Sequence, residues 1–121
     1  MKAHWMLMTD NIMEQYELAP LLQSQTLTCI MRILSSEEIL SINEPTILLV
    51  NLRAESLQIF DFFQTLKDVD FPSHVSVIAY SDMKHDHEFI HKAKSMGIKY
   101  ICTKDQLKDL LLMSERSTVN L

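Results

Sequence analysis

The chain has 121 residues, a length for one domain, and its 47% hydrophobic content supports a real core. Eleven basic against sixteen acidic residues give a formal charge of -5, and with no basic cluster this disfavours a nucleic-acid surface in the segment. Its one glycine, Gly97, excludes every glycine-rich phosphate cradle, whether of the dinucleotide or the nucleoside-triphosphate kind.

Lys2 is followed by an apolar stretch that Thr9 and Asp10 break, too short for a signal peptide or a membrane span. Residues 4–8 (His-Trp-Met-Leu-Met) read as a first short buried strand, and Thr9-Asp10-Asn11 supply the polar break and a helix N-cap. The helix that follows carries Ile12, Met13, Tyr16, Leu18, Ala19 and Leu22 on its apolar side, and Pro20 is expected to kink or shorten its last turn. Residues 26–33 alternate enough for a second strand, and Ser35-Ser36-Glu37-Glu38 open a short acidic-headed helix to about Ile42.

Residues 44–53 hold the uninterrupted run Ile47, Leu48, Leu49, Val50 behind Pro45, which suits a strand covered on both faces at the centre of a parallel sheet. The run stops at Asn51. Ligands and chemistry gather just beyond the carboxyl ends of such strands, and here the first polar side chain is an amide, neither acid nor nucleophile. Ser56 then caps a third helix bearing Leu57, Ile59, Phe60, Phe63 and Leu66. A fourth strand over 75–80 delivers Ser81 and Asp82, and a fourth helix over 84–96 ends at Gly97, placed for the left-handed position after a helix C-terminus. Residues 98–102 form the fifth strand, followed by Thr103-Lys104-Asp105 and a last helix to about Ser114 with Leu107, Leu110 and Leu111 on its core face.

Five strand-then-helix units with short connections predict an α/β domain over 1–114, a five-stranded parallel sheet with helices on both faces, and a tail or linker over 115–121. Cys29 and Cys102 lie in predicted strands without metal-type spacing and read as buried thiols of a reducing, cytoplasmic compartment. His87 and His91, four apart on a helix, could share a metal, but no further ligand is fixed by sequence and a polar helix face explains them.

The strand ends collect Asp10, Asn51, Ser81 and Lys104 after the first, third, fourth and fifth strands. In this order and spacing the chain resembles, over nearly its full length, the receiver domain of two-component response regulators, a flavodoxin-like (β/α)5 fold. The resemblance implies a pocket with acids after strand one, a phosphoacceptor aspartate after strand three, a serine or threonine after strand four and a lysine after strand five. Asp10, Ser81 and Lys104 match, with Gly97 seven residues before the lysine. Asn51 stands in the phosphoacceptor's place, Thr9 where an acidic partner of Asp10 is common, Asp105 where a proline usually follows the lysine, and Ile101 where an aromatic switch residue is usual.

An acyl phosphate needs a carboxylate nucleophile, which the Asn51 carboxamide is not. Magnesium wants anionic oxygen ligands, and with Asp10 as the remaining pocket carboxylate its site is expected to be lost or weak, with no other cofactor. Lys104 is expected to pair with Asp10 or to donate to the Asn51 oxygen. The set Thr9, Asp10, Asn51, Ser81 and Lys104 is then either a leftover polar network ordering the strand ends or a phosphorylation-independent ligand site. The resemblance implies a non-enzymatic pseudo-receiver acting through protein partners, as a homodimer through the fourth helix, fifth strand and fifth helix. Leu112 and Met113 are the exposed apolar residues of that face, and Lys84 and His85 belong to its polar rim. Contact with DNA would come only through an output domain outside these residues, as in a transcription regulator. The alternatives are a stand-alone signalling adaptor and a flavodoxin-type cofactor-binding protein, although Thr9-Asp10-Asn11-Ile12 lacks the phosphate loop the latter needs.

Overall fold

The five runs expected as strands form one parallel sheet in the computed structural model, which describes residues 3–69, 72–81 and 87–119, the last five of these by backbone alone. The strands are β1 (His4–Met8), β2 (Leu27–Ile30), β3 (Thr46–Asn51), β4 (Val75–Ser81) and β5 (Tyr100–Thr103). The helices between and after them are α1 (Met13–Leu18), α2 (Ser36–Leu40), α3 (Ile59–Asp68), α4 (His87–Ser95) and α5 (Lys104–Val119). The sheet order is β2-β1-β3-β4-β5 with every pairing parallel, the flavodoxin-like α/β architecture expected from the sequence.

Right-handed crossovers on this strand order send α1 and α5 to one face and α2, α3 and α4 to the other. The burial follows that division. One apolar cluster joins Leu48, Val50, Val77 and Ala79 to Ile39, Phe62, Phe63 and Ala93, and the second joins Trp5, Leu7, Leu49 and Tyr80 to Leu18, Leu107 and Leu111. Because side chains alternate along a strand, Thr9 continues the row of Trp5 and Leu7, and Asn51 that of Ile47 and Leu49. Both therefore emerge on the α1/α5 face, together with Tyr80.

Helix α1 turns a different side inward from the one its apolar residues mark. Glu14 and Leu18, one turn apart, are fully buried, while Ile12, Met13 and Tyr16 are exposed. A six-residue helix cannot cover the sheet with its whole apolar side, and its orientation is decided by the anchoring of its two ends. At the start, Asn11 Oδ1 accepts from the Met13 N–H at 3.1 Å. At the finish, Ala19–Leu21 tightens into a 3₁₀ turn holding Pro20, as the proline predicts.

Helix α2 carries the expected cap. Ser35 accepts from the Glu38 N–H and the Glu38 carboxylate accepts from the Ser35 N–H, a reciprocal capping box. Glu38 also takes both terminal nitrogens of Arg32, at 2.7 and 2.6 Å. The Arg32 hydrogen bonds first, then the Ser35 amide, hold the Glu38 carboxyl down at about 2. A carboxyl depressed in the folded state stabilises above its unfolded pKa near 4.5 and loses that contribution as pH falls towards 2. Carboxyl carbon shifts of Glu38 should therefore titrate with a midpoint near 2, and in Arg32→Ala that midpoint should rise. A Glu38 midpoint at the ordinary 4.5 in the wild type would contradict the pairing.

Elsewhere the boundaries shift. Ser56 does not cap α3; a 3₁₀ turn over Glu55–Leu57 and the left-handed Gln58, φ 55°, precede it, and Phe62 rather than Phe60 reaches the fully buried core. Gly97, φ +89°, closes α4 as expected, with its N–H on the Lys94 carbonyl and the Ile98 N–H on that of Ala93, the double bond of a Schellman end. The expected start of this helix near Lys84 lies outside the described residues, as do Lys84, His85 and Asp82. On α5, Leu107 and Leu111 are buried but Leu110 is 41% exposed, and the helix runs on through Val119, past the expected end at Ser114.

Candidate functional site

Buried polar residues gather at the carboxyl ends of β1, β3 and β4, and the carboxylate at their centre comes from α1. Glu14 Oε1 accepts from the Thr9 hydroxyl at 2.6 Å, the Asn51 Nδ2 at 2.8 Å and the Tyr80 hydroxyl at 2.8 Å. Its Oε2 lies 3.1 Å from Lys104 Nζ, with side-chain exposures of 1% for the glutamate and 16% for the lysine. Among the described residues no donor meets Oε2 in hydrogen-bond alignment, so that contact is ionic and imperfectly directed. Lys104 Nζ also reaches Glu17 Oε1 at 3.1 Å, and Lys108 flanks the same carboxylate at 3.7 Å.

The carboxamide of Asn51 is held in one orientation. Its oxygen accepts from the Arg53 N–H at 2.8 Å, which turns Nδ2 inward to Glu14 and to the Thr9 hydroxyl, 3.2 Å away. Each polar atom of the amide is thus committed inside the protein. An aspartate here would set a second carboxylate against the first. The amide at 51 and the acid at 14 suit one another.

Of the residues singled out from sequence, Thr9, Asn51, Ser81 and Lys104 are brought to this end of the sheet, with Thr9, Asn51 and Ser81 buried. Asp10 is not in the cluster; it is exposed, and its Oδ2 accepts from the Ser56 hydroxyl at 2.8 Å. Lys104 accordingly pairs with Glu14 and Glu17, and not with Asp10 or the Asn51 oxygen as expected, because the glutamates of α1 reach it first. Glu14 and Tyr80 were not anticipated. Tyr80 follows from the strand parity that places Thr9 and Asn51. Glu14 had a weaker signal, its position four residues before the core residue Leu18.

Ile101 is half-buried on β5 and packs against the α2/α3/α4 side of the core, paired in register with Ala79. Next to the site, the Arg53 guanidinium lies 4.9 Å above the Phe89 ring, which stacks on Phe60 at 6.0 Å, so the segment after β3 is clipped to α4. Cys29 and Cys102 are half-buried, not buried as expected, and this partial burial pushes both thiols up, with the charge of Glu14 adding to the effect at Cys29. His87 and His91 are exposed on α4, and among the described residues no group of three metal-ligating side chains comes together. A cleft of about 400 Å³ opens at the opposite end of β4 and β5, lined by Leu66, Val75, Val77, Met96, Ile98 and Tyr100, away from the polar cluster.

The fold is that of response-regulator receiver domains. It superposes on a response regulator receiver protein from Pseudoalteromonas atlantica with a TM-score of 0.65 at 16% identity, covering 96% of each chain. The bacteriophytochrome response regulator AtBRR matches with a TM-score of 0.61 at 13% identity, over 95% of this chain and 93% of that one. No family model and no curated protein matches the sequence.

Proposed function

We propose that this chain is a pseudo-receiver: a non-enzymatic signalling module that keeps the receiver fold, has lost aspartyl phosphorylation and acts through protein partners. The observation that carries the reading is the buried Asn51 carboxamide at the carboxyl end of the central strand, where it offers no nucleophile and has every polar atom engaged. The donor set does not fit the magnesium ion that receiver chemistry uses. Asp10 is turned to Ser56, and Glu14 already accepts three hydrogen bonds beside an ammonium that opposes a cation. Incubation with a small phosphodonor and magnesium should leave the intact mass unchanged, and a phosphoryl adduct on Asp10, Glu14 or the Asn51 segment would sink the reading.

The same reading places the protein in the cytoplasm, as a homodimer and ahead of an output domain such as a DNA-binding one. No helix among the described residues is long and apolar enough to cross a membrane. The dimer face is α4, β5 and α5, supported by apolar exposure on the edge strand and last helix: Tyr100 at 64%, Met113 at 62%, and Leu110 and Leu112 at about 40%. Sedimentation at tens of micromolar should give a dimer that Met113→Glu and Leu112→Glu weaken. A monomeric wild type removes the dimer, and a dimer indifferent to both glutamates moves the interface elsewhere.

A further inference from the structure

The donors around Glu14 belong to three strand ends and the start of α5, whereas the carboxylate alone is delivered by α1, a six-residue helix bounded by Asn11 and the Pro20 turn. Two hydroxyls, one amide and one ammonium converging on a single carboxylate make an oxyanion cradle, with hydrogen bonds to an ionised acceptor of the stronger kind. The cradle stands on the sheet, and its occupant stands on a separate segment. That division of parts is the arrangement of a ligand site filled from within the chain.

We propose that the strand-end cluster is an anion site whose resident ligand is the chain's own Glu14 carboxylate, and that the site, once vacated, takes a small carboxylate from solution. This deepens the phosphorylation-independent reading and rests on it: a signal-dependent anion has no room while Glu14 is seated, so α1 holds the site permanently in its occupied form. Residual capacity is visible at Glu14 Oε2, where the ammonium is near but not aligned. The ligand class is a monoanionic carboxylate, because the cradle offers one half-buried positive charge and three neutral donors.

Glu14→Ala removes the atoms of one acetate. In this variant the melting temperature should rise saturably with sodium acetate at constant ionic strength, by roughly 5 °C at about ten times the dissociation constant, relative to sodium chloride. Formate should act similarly. Wild type and Glu14→Gln, whose cradles stay filled, should show no difference between the salts, and adding Lys104→Met to Glu14→Ala should abolish the acetate effect. If Glu14→Ala is unfolded in chloride, acetate-induced folding followed by far-UV circular dichroism carries the same message. Equal melting in both salts overturns the proposal, and so does failure to fold in either, since a sheet-built cradle survives loss of its occupant. A phosphoryl adduct on the wild type would instead sink the pseudo-receiver reading, so the two failures are told apart.

Discussion

Asn51→Asp, which puts a carboxylate at the end of β3, is expected to destabilise the protein at neutral pH and to leave it unphosphorylated. In the wild type Asn51 Nδ2 donates to Glu14 Oε1 at 2.8 Å while Oδ1 stays on the Arg53 N–H. An aspartate held by the same Arg53 bond turns its second oxygen onto Glu14, and two carboxylates in contact cannot both stay ionised in a buried site. The pair shares a proton. Sharing it raises the pair's proton affinity in the folded state, which costs stability at pH 7. For such a raised pKa, stability is fully present below the unfolded value near 4 and is lost as pH rises through the folded one. Urea unfolding at pH 7.5 and pH 5 should therefore show Asn51→Asp well below wild type at the first and closer to it at the second. A variant matching wild type at both would remove the argument for matched residues at 14 and 51.

Lys104→Met should cost about 3–5 kcal/mol, because it leaves Glu14 as a buried charge without its counter-ion. For a chain of this size that is a fall of roughly 10 °C or more in Tm. Methionine keeps the aliphatic stem, so the loss reports charge and not packing. Lys108 supplies the comparison: its ammonium sits 3.7 Å from Glu17 with both side chains about 40% exposed, and Lys108→Met should cost under about 1 kcal/mol. Adding Glu14→Gln to Lys104→Met should recover part of the loss, since the two residues are in contact and their effects are not additive. Equal Tm for the two lysine variants would mean that the Glu14–Lys104 pair carries no more than a surface contact.

The helices shifted where anchoring outweighs pattern. Helix α1 is too short for its apolar periodicity to choose a face, so Met13 and Tyr16 lie outside and an acid lies inside. In α3, Ile59, Phe63 and Leu66 are buried as expected, and Phe62 joins them while Phe60 stays half-buried beside Phe89. The strands held better, since a continuous apolar run bounded by polar residues has one place to go in a sheet covered on both faces.

The amino-acid sequence by itself determined the five parallel strands, the capping box at Ser35 and Glu38, the glycine stop after α4, and the arrival of Thr9, Asn51, Ser81 and Lys104 at one end of the sheet. Each of these depends on local propensity or on a strand's alternation, which neighbouring residues fully specify. Only the tertiary structure decided that Asp10 turns away and that Glu14 and Tyr80 complete the site. A buried acid in a helix is stable only where donors from distant strands converge on it, and that convergence joins residues 14, 51, 80 and 104, which no local pattern connects.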